Sequence, residues 1–201
     1  MGYHDAVPRL IDQSARRAEI AEALWRIVLR DGASGISIRE VAAEAGIATG
    51  SLRHVFATKE DLLDFSMRLV YERAAERIAA HAGIAEPMAR AEAMLAEVIP
   101  LDDERRVEMR VNLALITESV AHPRLAQAAA QAHDGLRALC RRTVLDLLGD
   151  GPRVAERDID YEAVRLHALI DGLAMHLLLT ATESPAAVRR LVRTHLEGLM
   201  G

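Results

Sequence analysis

The stretch SIREVAAEAGIATGSLRHVFATK, residues 37–59, decides the fold of this chain. Ser37, followed three residues later by Glu40, forms a capping box that starts a short helix. Gly46 lies where that helix must end, because glycine adopts the left-handed conformation without strain. Thr49 is predicted to cap a second helix, which turns an apolar set inward: Leu52, Val55 and Phe56. Two short helices joined by a tight glycine-containing turn are typical of a helix-turn-helix, whose second helix enters the major groove of DNA.

Several side chains of this motif face away from its apolar positions and are candidates for contacts with DNA. Arg53 and His54 on the second helix are the expected base readers, since a guanidinium group pairs with two acceptors of guanine. Lys59, the sole lysine of the chain, suits a phosphate at the start of the next helix, although a chance surface position is the alternative. The candidate DNA-binding residues are Ser37, Arg39, Thr49, Gly50, Ser51, Arg53, His54 and Lys59, with Ser37, Arg39 and Lys59 expected on phosphates.

The same stretch resembles the DNA-binding motif of the tetracycline-repressor (TetR) family. The resemblance covers roughly residues 14–65 and rests on the apolar positions, the turn glycine Gly46, the cap and the lysine, followed by TKEDLL at residues 58–63. The chain has Arg53 where the family commonly has tyrosine, and Val55 where it often has histidine or tyrosine. An arginine suits phosphate or guanine as well as tyrosine suits phosphate.

The resemblance implies an all-α, TetR-like fold of about nine helices. Its N-terminal part would be a three-helix head with the helix-turn-helix, assigned to residues 1–58. Its C-terminal part would be a helical body for ligand binding and dimerisation, assigned to residues 59–201. The tail from about Tyr161, with LIDGL at residues 169–173, also resembles the C-terminal region of BetI-type regulators of the choline pathway. This second match covers about forty residues and does not carry a ligand with it.

The composition agrees with a helical protein in a reducing compartment. Aromatic residues make up only 3% of the 201 residues, whereas strands draw on aromatic and β-branched side chains. The single cysteine, Cys140, cannot form an internal disulfide, and the N-terminus lacks the apolar core of a signal peptide, so a cytoplasmic protein is expected. The net charge is −5, but residues 1–60 carry eight basic and eight acidic side chains. The excess of negative charge therefore lies in residues 61–201. Charge therefore permits DNA binding without demonstrating it.

Apolar periodicity and capping residues predict the helices outside the motif. The first helix is expected over residues 14–30, with Trp25 packed in the core rather than free to stack on a base. Arg16 and Arg17 of this helix lie either on a solvated face or against phosphate. Residues 149–152, GDGP, are the clearest loop. The remaining helices are predicted at residues 58–80, 87–100, 102 or 103 to 120, 123–148, 161–181 and 185–200. Asp158 or Asp160 is predicted to open the helix at 161–181.

One predicted helix is apolar nearly all round: residues 168–181, ALIDGLAMHLLLTA. It is too short for a membrane span, and Asp171 and His176 interrupt it. A helix without a polar face must be covered on every side, and a second copy of the chain is the simplest cover. We therefore expect a homodimer through the helices at about residues 123–148 and 161–181, which the TetR resemblance also implies. Such a dimer presents two recognition helices to half-sites spaced by about 34–36 Å or a multiple.

Polar groups and methionines on otherwise apolar helices are the candidates for a small-molecule pocket. His167 and Asp171 are four residues apart, so they share a helix face and can pair. Such a pair could equally be a satisfied buried pair or an interface pair across the dimer. The shortage of aromatic residues argues against a cationic cage for a quaternary ammonium ligand. The candidate ligand-binding residues are Met94, Met109, Asn112, Thr117, His167, Asp171, Met175 and His176.

No catalytic or metal site can be assembled from the sequence. Cys140 lies within a predicted helix, with no helix terminus beside it to lower the pKa of its thiol. The eight histidines lack the HExxH or paired Cys/His spacing of a metal site. No cofactor is expected, and the protein is predicted not to be an enzyme.

These features together predict a homodimeric, ligand-responsive transcriptional regulator. The hypothesis is a repressor that binds a palindromic operator in double-stranded DNA and is released by a small organic effector, with no membrane partner. The alternative is a helical small-molecule-binding or interaction protein whose head no longer binds DNA.

Overall fold

The computed structural model describes residues 6–149, 158–180 and 183–200, in which the chain forms nine α-helices and no strand. The predicted all-α fold is confirmed. Within these ranges, none of the helices combines the length and the apolar character that a membrane crossing needs. A short 3₁₀ turn, Ala33–Gly35, follows the first helix. The helices are α1 (Ala6–Asp31), α2 (Ile38–Glu44), α3 (Thr49–Val55), α4 (Lys59–Ala80), α5 (Pro87–Ala96), α6 (Asp103–Glu118), α7 (Pro123–Leu148), α8 (Ile159–Leu179) and α9 (Pro185–Met200).

Capping side chains explain where the helices of the DNA-binding motif begin. The Glu40 N–H donates to Ser37 Oγ at 3.2 Å at the start of α2. At the start of α4, the Asp61 N–H donates to Thr58 Oγ1 at 3.0 Å and the Thr58 N–H donates to Asp61 Oδ2 at 2.9 Å. Each cap satisfies a backbone N–H group that the first turn of a helix leaves without an intrahelical partner.

Several predicted helix boundaries differ from the structure. α1 begins at Ala6 rather than at residue 14, and Pro8 lies in its first turn, where a missing backbone N–H costs no intrahelical hydrogen bond. α5 ends at Ala96 rather than at residue 100, and α6 ends at Glu118 rather than at residue 120. α8 begins at Ile159 rather than at residue 161, and Asp158, one of the two residues predicted to open it, is its N-cap. The predicted end of this helix at residue 181 lies outside the described residues, as do residues 150–152 of the predicted loop.

The chain divides into two compact units, each built from two segments. The first unit is Met1–Tyr71 with Arg110–Ala129, and the second is Glu72–Met109 with Ala130–Gly201. α4, α6 and α7 therefore contribute residues to both units. The predicted boundary between residues 58 and 59 does not coincide with a boundary between these compact units, and it stays a prediction.

The apolar stripe of α1 forms the core of the first unit's N-terminal part. Ile20, Leu24 and Ile27 are almost fully buried there. So are Leu52 of α3 and Phe56, the residue that follows α3. α1 packs on α2, and α2 packs on α3. Trp25 is also buried, as the sequence predicts. This core holds the three helices of the head at a fixed angle, so the outer face of α3 has a defined direction.

The second unit has a larger apolar core, formed by α5, the later part of α7, α8 and α9. Cys140 is fully buried in this core, and burial raises the pKa of its thiol to about 12. The thiol is therefore protonated at neutral pH and unreactive.

A network of charged groups in the second unit ties α4 to α6 and to the segment after α5. The Arg77 guanidinium binds the buried Glu108 carboxylate with two hydrogen bonds of 2.7 and 3.2 Å, and it also donates to Glu97 at 3.0 Å. Arg105 and His81 bind the same Glu97 carboxylate at 2.7 and 3.0 Å. Burial alone would raise the pKa of Glu97, but His81 and the two arginines outweigh it and hold that pKa below its usual value.

Candidate DNA-binding interface and ligand-binding residues

The turn between α2 and α3 has the geometry that its glycine permits. Gly46 has a φ of 66°, in the left-handed region that favours glycine. The Gly46 N–H donates to the Ala43 carbonyl at 3.1 Å, and the Ile47 N–H donates to the Ala42 carbonyl at 2.9 Å. These two bonds form a Schellman motif, which ends α2 and reverses the chain toward α3.

One predicted cap of the motif is wrong. Ala48, not Thr49, is the N-cap of α3, and no side chain caps the helix there. The Leu52 N–H donates to the Ala48 carbonyl at 3.1 Å, which makes Thr49 the first helical residue. The Schellman turn sets this register, and the sequence signal of a threonine before an apolar run did not reveal it.

α3 has one buried face and one face open to solvent. Leu52 is fully buried and Val55 half-buried. Of the predicted contact residues on this helix, Gly50, Ser51, Arg53 and His54 are exposed and Thr49 is half-buried. Ser37 and Arg39 lie at the start of α2, half-buried and exposed respectively. The structure thus places all eight candidate DNA-binding residues, including Lys59 at the start of α4, in the first compact unit.

Salt bridges sort the arginines of the head into paired and unpaired groups. Arg26 of α1 binds Glu44 at 2.8 Å, and Arg30 binds the same carboxylate at 3.0 Å. Both hydrogen bonds lower the pKa of Glu44, and the bond from Arg26 has the larger effect. Arg39 and Arg53 have no ion-pair partner among the residues that the structure describes. Arg39 of α2 and Arg53 of α3 are both exposed, so their positive charges are open to solvent.

Arg17 has a contact that sequence reasoning missed. Its guanidinium carbon lies 4.5 Å from the ring centre of Phe65 and 5.0 Å from that of Phe56. The two rings are themselves 5.3 Å apart and tilted by 48°. Cation–π attraction thus holds Arg17 against the junction of α3 and α4. Arg17 is nevertheless exposed, so this contact adds to the two roles considered from the sequence and excludes neither. The signal lay in two phenylalanines nine residues apart, and only folding brings them to the same arginine.

Lys59 is paired with a carboxylate in this structure. Its Nζ lies 3.7 Å from Glu118 Oε2, and His122 Nε2 lies 3.9 Å from the same oxygen. Arg124 binds Asp61, two residues further along α4, at 2.7 Å. The end of α6 and the start of α7 are therefore linked electrostatically to the first turn of α4.

The eight candidate ligand-binding residues are divided between the two compact units. Asn112 and Thr117 belong to the first compact unit, and the other six belong to the second. Asn112 accepts a hydrogen bond of 2.7 Å from the Tyr71 hydroxyl, whose pKa burial raises to about 12. Thr117 is exposed and donates to the Ala114 carbonyl at 2.6 Å. Their role in binding a ligand stays a prediction.

His167 and Asp171 pair as their spacing predicts. His167 Nε2 lies 3.4 Å from Asp171 Oδ2, and the imidazole also packs on His133 of α7, with the ring centres 4.6 Å apart. His167 is only 6% exposed, and this burial lowers the pKa of its imidazole although Asp171 acts to raise it. His176 is exposed, whereas Met94, Met109 and Met175 are half-buried.

Comparison with known proteins identifies the family. Residues 18–64 match the family model described as bacterial regulatory proteins, tetR family. Residues 87–201, more than half of the chain, match the model described as BetI-type transcriptional repressor, C-terminal. The chain belongs to the TetR family.

Individual TetR-family relatives agree over almost the whole length. The regulator PksA of Bacillus subtilis is 36% identical over 196 residues, covering 96% of this chain and 94% of PksA. The regulator BetI of Paraburkholderia phymatum is 30% identical over 172 residues, with 83% of each protein covered. A transcriptional regulator from Saccharomonospora viridis, crystallised in complex with choline, superimposes on this chain with a TM-score of 0.78 and is 27% identical to it. The match covers 92% of this chain and 96% of the regulator's chain. These relatives are transcriptional regulators and not enzymes, as the sequence predicts for this protein.

Among the described residues of this TetR-family chain, two cavities can be compared with the eight candidate ligand residues, and none of the eight lines either of them. One, of about 470 Å³, lies between α5 and α9 in the second unit. The other, of about 240 Å³, lies beside α1 and the turn after α2 in the first unit. Sequence reasoning missed both, because their linings come from segments far apart in the chain.

Proposed function

We propose that this TetR-family regulator is a homodimeric repressor that binds a palindromic operator in the cytoplasm and is released by a small organic effector. The observation that carries the DNA-binding part is the outer face of α3, where Arg53 and His54 are exposed and Arg53 has no carboxylate partner in the described part of the chain. Two other arginines of the head, Arg26 and Arg30, are occupied by Glu44. An unpaired guanidinium on a recognition helix is free to bind guanine in the major groove.

The exposed side of α8 supports dimerisation. Tyr161 is 61% exposed and Leu179 is 72% exposed. Single exposed apolar side chains are common, but several on one helix face are typical of an interface. Between them, Val164 and Ala168 are also exposed, at a spacing of three and four residues along one helix face. A side chain added at Gly172 would meet nothing within 4 Å in the single chain. A second copy of α8, together with α7 of each subunit, would cover this face in a four-helix interface.

Repression and release are proposed from the family. The C-terminal match is to a model described as a BetI-type transcriptional repressor. An effector can move the protein between its DNA-binding and released states only by binding one of them more tightly. α4 contributes to both compact units, so a shift of α4 would change the distance between the two heads of a dimer. The effector need not be choline, because the chain has few aromatic residues for a quaternary ammonium cage.

A mobility-shift assay with the intergenic DNA beside the gene tests the proposed function. A retarded band that disappears as salt is raised, and that survives competitor DNA, would support it. If no retarded band appears even at low salt, the result would favour the alternative, a helical binding protein whose head no longer binds DNA.

Arg53→Ala is expected to weaken specific binding by about 1–3 kcal/mol and to relax the base preference at one position of each half-site. The reason is the loss of two parallel hydrogen bonds to guanine. Arg53→Lys is the matched control, since lysine keeps the charge but cannot form the bidentate pair. Titration against the operator and single-base variants measures both effects. An unchanged affinity for Arg53→Ala would show that Arg53 does not contact a base.

Lys59→Ala is expected to weaken binding to all sequences alike and to reduce the slope of log affinity against log salt by about one. A phosphate contact would have to replace the bond between Lys59 and Glu118. Glu118→Gln is the companion variant: it removes the competing carboxylate and should tighten binding to every sequence. Titrations at several salt concentrations measure both slopes. The phosphate role of Lys59 would be contradicted by an unaltered slope.

A further inference from the structure

The cavity between α5 and α9 has the form of a ligand-binding groove. Its volume of about 470 Å³ falls within the range of roughly 300–1,000 Å³ that is typical of small-molecule sites. One wall is the face of α5 that carries Ala89, Ala93 and Ala96. These positions recur at three- and four-residue spacing, and their small side chains leave the space between the two helices open.

Apolar side chains form the deeper part of the groove. Val188 and Val192 line it from the first half of α9, and both are buried. Ile99 and Leu101 line it from the segment after α5, also buried. The Leu101 N–H donates to the Ile99 carbonyl at 2.8 Å, in a tight turn around Pro100. This turn directs two large apolar side chains toward the same space.

The rim of the groove is positively charged. Arg189, Arg190 and Arg193 of α9 line it together with a single acidic residue, Glu92 of α5. Glu92 binds Arg193 through two hydrogen bonds of 2.5 Å each, one to each carboxylate oxygen. This bidentate pair joins α5 to α9 and neutralises the charge of Arg193. The hydrogen bond to Glu92 raises the pKa of Arg193, and the negative charges of Glu197 and Glu86 raise it further.

The other two arginines of the rim keep their charge free. Neither Arg189 nor Arg190 has an ion-pair or hydrogen-bond partner in residues 6–149, 158–180 and 183–200. Both are exposed, at the mouth of a groove whose interior is apolar. Arg189 and Arg190 are consecutive on α9 and both line the groove, so a carboxylate at its mouth can bind either guanidinium, since each presents several N–H donors in a fixed plane.

We propose that this groove binds a small organic anion with an apolar chain, such as a medium-chain carboxylate. The carboxylate is held by Arg189 and Arg190, and the chain lies between α5 and α9 against the valines and Ile99. The charge at the mouth and the apolar interior together select this class over a neutral apolar molecule or an inorganic anion. The assignment of this anion as the effector rests on the proposed function, whereas its binding to the groove does not.

Isothermal titration of the full-length protein with decanoate tests the proposal directly, without DNA. Decanoate is expected to bind with one site per chain, and the neutral analogue decanol and inorganic phosphate are expected to bind at least about tenfold more weakly. The double variant Arg189→Ala/Arg190→Ala is expected to lose about tenfold or more in decanoate affinity. Arg110→Ala, an exposed arginine on α6 that does not line the groove, is the matched control and should bind as the unaltered protein does.

A second variant tests the apolar part. Ala93→Phe fills the groove and leaves both arginines in place, so it should also lose decanoate binding, with its helix content checked by circular dichroism. Equal affinity for decanoate and decanol, or an unaltered affinity in both variants, would overturn the proposal. So would a change of oligomeric state in the double arginine variant, since it would assign the groove to a second copy of the chain.

The readouts separate this proposal from the proposed function. Decanoate binding without any effect on the mobility shift would support the groove and remove its role as the effector site. Normal operator binding with no decanoate binding would support the regulator and overturn the groove.

Discussion

Ala168→Arg is expected to convert the protein from a dimer to a monomer and to lower its affinity for a two-half-site operator by about 10²–10⁴-fold. Ala168 lies on the exposed face of α8, between Val164 and Leu179, where the proposed partner subunit packs. A long charged side chain there would have to lose its hydration and displace the partner's packed side chains in the dimer. The same side chain remains solvated in the single chain, and arginine is nearly as good a helix former as alanine. The fold should therefore survive while the dimer does not.

Sedimentation at micromolar concentration measures the oligomeric state, and the mobility shift measures operator binding. Ala75→Arg, an exposed alanine on α4, is the matched control and should remain dimeric with full affinity. A dimeric Ala168→Arg protein would place the subunit contact elsewhere. A monomer that still binds the operator at full strength would contradict the link between dimerisation and DNA binding.

Glu108→Ala is expected to destabilise the protein by about 2–4 kcal/mol, because the half-buried Arg77 guanidinium loses two charged hydrogen bonds and keeps only its bond to Glu97. For a chain of this size the change corresponds to a Tm lower by about 4–16 °C. Thermal unfolding followed by circular dichroism measures it. Glu104→Ala, an exposed glutamate on the same helix, is the control and should change stability by less than about 0.5 kcal/mol. A Tm for Glu108→Ala equal to that of the control would show that the network adds nothing to stability.

The same network gives the stability a defined pH dependence. Since the pKa of Glu97 is held below its usual 4.5, the carboxylate contributes its full stabilisation above that pH. The contribution is lost as the pH falls through the lower folded value. His167 acts in the same direction at higher pH: burial lowers the pKa of its imidazole below 6.5, so the unfolded chain takes up a proton first and stability falls as the pH drops through that range.

Contacts between near neighbours in the chain could be predicted from residues alone. The Ser37 cap, the Gly46 turn and the start of α4 at Thr58 each depend on atoms within a few residues of one another. The His167–Asp171 pair likewise follows from a helical spacing of four. The cap of α3 was misassigned although it too is local, because the turn geometry rather than the side-chain type decided its register.

Charge pairing could not be predicted in the same way. Arg26 and Arg30 meet Glu44 across 18 and 14 residues, and Lys59 meets Glu118 across 59. A count of charges shows a neutral head, yet only the packed helices show which arginines are neutralised and which remain free.

The amino-acid sequence by itself determined the helical class, the family and the position of the recognition helix, because periodicity, caps and glycine act over one or two turns of chain. The tertiary structure alone decided that Arg17 stacks on two phenylalanines, that Arg53 is left without a carboxylate partner among the described residues, and that a groove with an arginine rim opens between α5 and α9. Each of these depends on side chains that are distant in sequence, and only the packing of helices brings them within a few ångströms.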